Sequence, residues 1–279
     1  MGSWWPARQR DRHFADHNAA HCALRLLFLG MLPRLRLPHS GCDEDRSRPI
    51  SSLAAQRHVA ILSPHPDDAV LSCFSSIKCS RIVITIFDGV DPDGELGWWD
   101  QHSGAESPAQ VRARRLAEDR EALALAGSET TVALGYPDRQ YRRAALRRAE
   151  MIGRIQPLCA GATCLLAPSA VGGHPDHVAC RWLGMRVASR LGIPVRLYGD
   201  IPYIFDPRAA GSIYVHGGAE GRSKLELQTI DLTDEQAALK RRAAELYRSQ
   251  FAILCELTPV LGTADAFLRE WLSQPIEAG

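Results

Sequence analysis

The 279-residue sequence lacks an excess of charge of either sign, and it has almost no lysine. Its 33 basic and 32 acidic residues give a formal net charge of +1, and only three of the basic residues are lysine. Nucleic acids and anionic membrane surfaces attract proteins that carry a marked positive excess, so this balance gives no electrostatic basis for either partner. We therefore predict no nucleic-acid partner.

The sequence also lacks C-x-x-C pairs and long apolar runs, although it contains eight cysteines. Without such pairs the thiolate zinc patterns are excluded. A chain of this length can bury a core without a disulfide framework, so most of the cysteines are interpreted as small buried apolar residues. The apolar run at 23–32 is too short to span a bilayer and contains an arginine. These absences predict a cytoplasmic protein with no stable membrane insertion.

Residues 1–50 differ in composition from the rest of the chain. They contain many arginines and two adjacent tryptophans, and regular apolar patterns begin only near residue 58. We predict a poorly ordered N-terminal extension at 1–50, followed by a single domain at 51–279.

From residue 58 onward, short apolar runs alternate with segments of helical periodicity. Strands are predicted at 58–63, 81–87, 130–135, 162–169 and 194–200. Helices are predicted at 67–77, 108–127, 142–156 and 176–192, and the tail at 225–272 is predicted to be mainly helical. This alternation predicts the α/β class, with a Rossmann-like, mostly parallel sheet and helices on both faces. Such sheets bind their ligands at the carboxyl ends of the strands.

Two copies of His-Pro-Asp lie where a predicted strand ends and a helix begins. The first copy reads HPDD at 65–68, and the second reads HPDH at 174–177. Right-handed crossovers place both strand ends at one edge of the sheet, so the two copies are expected to face each other. Residues three apart in the first turn of a helix share a face, which pairs His65 with Asp68 and His174 with His177.

Two histidines and one carboxylate form a catalytic zinc ligand set that leaves one position open for water. His65, Asp68 and His177 can supply this set, and zinc lowers the pKa of a bound water to about 7. Asp67 can then accept the proton of the water, while His174 can stabilise an oxyanion or protonate a leaving amine. A single copy of the motif would also suit a structural helix start, but two copies at matching junctions favour a metal site.

The two motifs resemble those of the PIG-L/LmbE-like N-acetylglucosaminyl deacetylases, which are zinc-dependent hydrolases with a Rossmann-like α/β fold. The resemblance runs from about residue 58 to 203 and includes the segments WWDQHSG (98–104), RRLAEDREALALAG (114–127), LGYPDRQYR (134–142) and YGDIPY (198–203). It implies a zinc site with Asp67 as general base and His174 as electrophile or acid. The zinc ligands implied are His65, Asp68 and His177, and the residue implied to orient His174 is Asp176.

The resemblance implies removal of an N-acetyl or N-acyl group from an amino sugar or a glycosylated small molecule. Ala69 stands where the family often has glutamate. With the Trp-Asp loop, this variant looks like members that act on glycosylated secondary metabolites. The alternative function is that of an amidase acting on a thiol–sugar conjugate of the mycothiol type. For either function, the sequence leaves both Zn²⁺ and Fe²⁺ open as the native metal. A nucleotide-binding module is disfavoured, because no glycine-rich phosphate motif follows the first strand.

The long loop at 88–107 is the predicted source of substrate contacts. Loops of this length in compact domains are often functional. A sugar ring offers hydroxyl groups and one apolar face, which suit polar and aromatic side chains respectively. The predicted substrate contacts from this loop and from 139–141 are Trp98, Trp99, Asp100, Arg139 and Tyr141.

Overall fold

A seven-stranded sheet dominates the computed structural model, which describes residues 59–206, 214–217 and 221–276. In chain order the strands are β1 (Val59–Ser63), β2 (Ser80–Thr85), β3 (Thr131–Ala133), β4 (Cys164–Pro168), β5 (Val195–Tyr198), β6 (Tyr214–Gly217), β7 (Gly221–Lys224), β8 (Leu227–Asp231) and β9 (Arg269–Ser273). The large sheet has the order β3-β2-β1-β4-β5-β9-β8, and β6 pairs with β7 separately. Strands β1 to β5 are parallel to one another, whereas β9 and β8 extend the sheet with antiparallel pairs.

Helices cover both faces of this sheet. They are α1 (Asp68–Ile77), α2 (Pro108–Leu125), α3 (Arg148–Leu158), α4 (Pro175–Leu191), α5 (Asp234–Glu245) and α6 (Phe251–Leu257). Alternate side chains of β1 show the two layers. Ala60 and Leu62 pack with residues of α3 and α4, while Val59 and Ile61 pack with residues of α1, α2 and α5. The predicted Rossmann-like α/β fold, with a mostly parallel sheet covered on both faces, is therefore confirmed.

The tail after residue 225 differs from its prediction, because it supplies strands β8 and β9 as well as helices α5 and α6. Glu270 interrupts the apolar pattern of β9, and its buried carboxylate accepts a hydrogen bond from Lys240 Nζ at 3.0 Å. Because a charged residue occupies a buried position of β9, the strand lacks the alternation of apolar and polar residues that would have predicted it.

Helix α3 begins at Arg148, six residues later than predicted. The backbone N–H groups of Tyr141 and Arg142 both donate to the carbonyl of Asp138, which closes a turn where the helix was expected to begin. The predicted extension at 1–50 lies outside the described residues, so that extension and the boundary at residue 51 stay predictions. Within the described ranges, no helix is both long and apolar enough to cross a membrane.

Candidate metal centre and active site

The two His-Pro-Asp motifs meet at the point where the strand order reverses. Strands β1 and β4 are parallel neighbours, but the chain leads from β1 to β2 on one side and from β4 to β5 on the other. A crevice forms at the carboxyl ends of such a pair. His65 follows β1 and His174 follows β4, so both motifs lie in this crevice. A carboxylate also follows each parallel strand: Asp68, Asp88, Asp138, Asp176 and Asp200.

In the first motif, helix α1 begins at Asp68, so His65 precedes the helix instead of lying in its first turn. The pairing expected from helical spacing is achieved differently, because the backbone N–H of His65 donates to Asp68 Oδ2 at 2.9 Å. Asp67 precedes the helix and has a φ of 108°, a backbone conformation that residues other than glycine rarely adopt. The carboxylate of Asp119 on α2 accepts a hydrogen bond from the backbone of Asp67.

In the second motif the helix begins two motif positions earlier than in the first, because α4 starts at Pro175, the second residue of the motif. His174 is the N-cap residue, and its Nδ1 accepts a hydrogen bond from the backbone N–H of Asp176 at 3.3 Å. Proline is favoured at this position because its missing N–H would have no partner within the helix. His177 therefore lies in the first turn and is buried.

Asp68 lies between the two predicted histidine ligands. Its Oδ2 is 3.2 Å from Nδ1 of His65 and 3.4 Å from Nε2 of His177. Two ligand atoms bound tetrahedrally to one zinc ion at 2.0–2.2 Å lie roughly 3.3–3.6 Å apart. Asp68 Oδ2 therefore has this spacing from one ring nitrogen of each histidine. Among the described residues, the groups whose ligand atoms all lie within 4.8 Å of one another are His65, His174 and His177, and His65, Asp138 and Asp176. His174 also brings a ring nitrogen within 4.8 Å of ligand atoms of His65 and His177, so it lies directly beside the set.

Each histidine of the set has a second carboxylate on its other ring nitrogen. Nε2 of His65 is 3.1 Å from Asp176 Oδ2, and Nδ1 of His177 is 2.6 Å from Asp200 Oδ1. Metal-binding histidines generally donate their remaining N–H to such a partner, which fixes the tautomer. The donor set present here thus fits a divalent cation. Asp176 was predicted to orient His174, but its carboxylate hydrogen-bonds His65 and only its backbone N–H contacts Nδ1 of His174.

The charges of the ligand set support one another. Burial raises the pKa of Asp68, but the nearby His177 and His65 outweigh burial and lower that pKa below its usual value. Burial lowers the pKa of both histidines, yet their carboxylate partners raise each pKa above the ordinary value. The pocket therefore favours cationic charge at its centre, either as protons on the imidazoles or as a metal ion.

Asp67, the predicted general base, and His174, the predicted electrophile or acid, have pKa values shifted in opposite directions. Burial and the neighbouring carboxylate of Asp68 raise the pKa of Asp67 to about 8. Burial and the nearby His65 and His177 lower the pKa of His174 to about 2, so its imidazole is neutral. Because Nδ1 of His174 accepts a hydrogen bond, the proton of the neutral ring lies on Nε2. Such a ring can donate a hydrogen bond to an oxyanion.

Two predicted substrate contacts, Asp100 and Tyr141, are buried and bonded to each other. The Tyr141 hydroxyl donates to Asp100 Oδ2 at 2.9 Å, and Nε2 of Gln140 donates to the same oxygen at 2.7 Å. This arrangement ties the loop at 88–107 to the segment that follows β3. The burial of both side chains favours a supporting role, and their substrate contacts stay predictions.

The other three predicted contacts lie nearer the surface. Trp98 is 39% exposed and packs edge-on against Trp99 with ring centroids 5.5 Å apart. The indole N–H of Trp99 donates to Oε1 of Gln250. The backbone N–H of Arg139 donates to Asp176 Oδ2 at 2.8 Å, which places the Arg139 main chain beside the predicted site. Their role in substrate binding stays a prediction.

Three residues that the sequence analysis did not single out also contact the site. Asp200 accepts from His177, and Arg142 places NH1 2.6 Å from Asp176 Oδ1. The ring of Tyr203 lies 5.2 Å from that of His177 and occupies the space that a side chain at Gly172 would need. The available signal for Asp200 was its position as the last residue of the strand predicted at 194–200, and all three residues lie in the segments 134–142 and 198–203 that carry the resemblance.

Comparison with known proteins supplies further evidence. The sequence model of the family described as PIG-L: GlcNAc-PI de-N-acetylase matches residues 60–188, which include both motifs. The diacetylchitobiose deacetylase of Thermococcus kodakarensis is 26% identical over 200 residues, which cover 70% of this chain and 70% of that protein. The crystal structure of A40926 pseudoaglycone deacetylase matches with a TM-score of 0.64 and 24% identity, covering 80% of this chain and 99% of that one. A zinc-inhibited form of teicoplanin deacetylase matches with a TM-score of 0.62 and 19% identity, covering 78% and 98% respectively.

These matches confirm the predicted resemblance, the α/β fold and the prediction of an enzyme of the deacetylase type.

Proposed function

The chain is a relative of the PIG-L/LmbE-like deacetylases, and on this basis we propose that it is a metal-dependent N-deacetylase acting on a sugar-containing small molecule. The observation that carries the proposal is the position of Asp68 Oδ2, within 3.4 Å of both histidine ligand candidates. Asp67 adjoins this set in the chain, and a ring nitrogen of His174 lies within 4.8 Å of it.

We propose Zn²⁺ as the ion held by His65, Asp68 and His177. Two imidazoles and one carboxylate are a usual zinc donor set, and one structural relative is described in a zinc-inhibited form. When bound, the cation supplies Lewis acidity to an amide carbonyl and to a water molecule, and its charge favours the ionised form of Asp67.

Asp67 would carry the proton transfers, and His174 would stabilise the negative charge on the carbonyl oxygen. Asp67 accepts a proton from the attacking water as the water oxygen bonds to the acyl carbon. Nε2–H of His174 donates a hydrogen bond to the carbonyl oxygen while negative charge develops there. When the C–N bond breaks, the proton held by Asp67 passes to the leaving nitrogen. The products are a carboxylic acid and a free amine.

We further propose that the substrate is an N-acetylated amino sugar or a glycoside that carries one. The relatives support this substrate class, because their names refer to diacetylchitobiose and to the A40926 pseudoaglycone. A role in biosynthesis of a glycosylated metabolite, with Trp98 contacting the apolar part, is the finer proposal. The cytoplasmic localisation stays a prediction.

The test is a screen of N-acetylated sugars and glycosides for released acetate, carried out on metal-free protein and on protein reloaded with Zn²⁺ or Fe²⁺. We expect acetate release only from loaded protein, with chelators abolishing it. A thiol–sugar conjugate belongs in the same screen, because its cleavage in place of acetate release would support the amidase alternative. Full activity of rigorously metal-free protein would overturn the proposal.

A further inference from the structure

Asp200 is completely buried at the carboxyl end of β5, and both of its carboxylate oxygens are engaged. Oδ1 lies 2.6 Å from His177 Nδ1, while Oδ2 accepts from the Ser169 hydroxyl at 2.7 Å and from the Val171 N–H at 3.2 Å. The carboxylate therefore connects the loop after β4 to the first turn of α4.

The backbone around Asp200 is held as firmly as its side chain. The carbonyl of Asp200 accepts from the N–H of Ile204 at 2.8 Å. The N–H of Ile201 donates to the Ser72 hydroxyl of α1 at 3.0 Å. A side chain held at both oxygens, on a backbone held at its own carbonyl and at the next N–H, has little freedom to follow a shifting imidazole. The imidazole must instead adopt the orientation that Asp200 sets.

The consequence concerns which nitrogen of His177 is available. A carboxylate accepts hydrogen bonds only, so Asp200 keeps the proton of the neutral ring on Nδ1. Nε2 is then left with a free lone pair and faces Asp68 Oδ2 at 3.4 Å. A partner of this kind typically changes metal affinity by about 10–100-fold.

We propose that Asp200 is a positioning residue that selects Nε2 of His177 as a metal ligand and thereby sets the affinity of the site. The inference rests on the proposed metal-dependent function. It differs from the role of Asp176 toward His65, because Asp176 also pairs with Arg142 and accepts from the Arg139 N–H, whereas the other hydrogen-bond donors to Asp200, the Ser169 hydroxyl and the Val171 N–H, are neutral.

The experiment measures Zn²⁺ affinity by competition with a chelator, together with the visible absorption spectrum of the Co²⁺-substituted protein and the melting temperature of the metal-free protein. For Asp200→Asn we expect the metal Kd to rise about 10–100-fold. We also expect an altered cobalt spectrum, because the amide no longer holds the imidazole in one orientation. Neither measurement depends on deacetylase activity, so a failed activity screen leaves this test intact.

The matched control is Glu270→Gln, which alters a buried carboxylate paired with Lys240 away from the metal ligands. We expect it to lower the melting temperature and leave the metal Kd unchanged. Ser169→Ala removes one partner of Asp200 without touching His177, and it should weaken metal binding less than Asp200→Asn does. If Asp200→Asn does not fold, Ser169→Ala decides. The proposal would be overturned if Asp200→Asn, or Ser169→Ala where Asp200→Asn does not fold, bound zinc with wild-type affinity. An equal loss of zinc affinity in Glu270→Gln would also overturn it.

Discussion

The two His-Pro-Asp motifs have the same three residues but different backbone conformations. In the first, helix α1 begins only after the motif, and the aspartate at Asp67 has a left-handed φ of 108°. In the second, helix α4 begins at the proline, and Asp176 lies in its first turn. Residues at matching positions of the two motifs therefore have different roles. The first histidine, His65, faces Asp68 as a candidate ligand, whereas His174 caps its helix and remains beside the set.

The difference shows that helix register, and not the motif alone, assigns the chemistry. Because the two helices begin at different motif positions, Asp67 lies before its helix with a positive φ, next to the candidate ligands. Asp176 lies inside its helix, and its carboxylate hydrogen-bonds Nε2 of His65 in the other motif. Each motif thus supports the other. Substitutions at matching positions of the two motifs should consequently have unequal effects.

The largest effect is expected for Asp68→Ala, because this oxygen lies between both histidine ligand candidates. Removal of one of three protein ligands should abolish bound metal and activity together. Metal content by elemental analysis and acetate release by enzymatic assay give the two readings. Retention of stoichiometric zinc by the variant would contradict the ligand assignment.

Asp67→Asn should leave the metal in place and reduce kcat by about 10²–10⁴-fold, the usual contribution of a general base. Asparagine tolerates a positive φ better than most residues, so the turn should persist. The comparison uses zinc stoichiometry and rate at saturating substrate for Asp67→Asn and Asp68→Asn in parallel. If the first variant loses metal and the second keeps it, the two roles are reversed.

Asp176→Asn, the counterpart in the second motif, should act on the metal more than on the rate. It weakens the partner of His65 Nε2 and removes the ion pair with Arg142, so we expect metal affinity to fall about 10–100-fold. Activity should largely return at excess zinc. A drop in kcat that persists at saturating metal, equal to that of Asp67→Asn, would show that Asp176 takes part in proton transfer.

Pro175→Ala should have the smallest effect. Proline at the first position of α4 has a backbone conformation that suits the helix. Its replacement therefore acts mainly by raising the conformational entropy of the unfolded chain, and it should lower the free energy of unfolding by about 0.4–1 kcal/mol. Denaturant unfolding measures this change, and the catalytic rate per loaded site should be unaffected. A loss well beyond this range would mean that the ring makes packing contacts that matter.

The sequence predicts the layers of the fold and the meeting of the two motifs, because alternating periodicity and strand ends are local signals. It does not predict the two-residue difference in where α1 and α4 begin. That difference depends on the turn at Asp67, whose backbone is hydrogen-bonded by Asp119 from a different helix. Contacts between distant segments decided it, and propensity does not report such contacts.

Partners of the candidate ligands were missed for the same reason. Asp200 is separated from His177 by 23 positions in the chain, and Arg142 is 34 positions from Asp176. Strand β9 was missed because Glu270 is buried as an ion pair with Lys240, which no local pattern indicates. Asp176 was expected to orient His174, but its carboxylate hydrogen-bonds His65 of the opposite motif.

The left-handed backbone of Asp67 has a consequence for protein engineering. Residues other than glycine in such conformations cost on the order of 1–3 kcal/mol, and glycine avoids the cost. Asp67→Gly would also remove a buried carboxyl group next to Asp68, so calorimetry should find the variant more thermostable than the parent. A selection for thermal resistance alone would therefore favour loss of the proposed general base, and only a selection that also demands turnover would keep aspartate at this position.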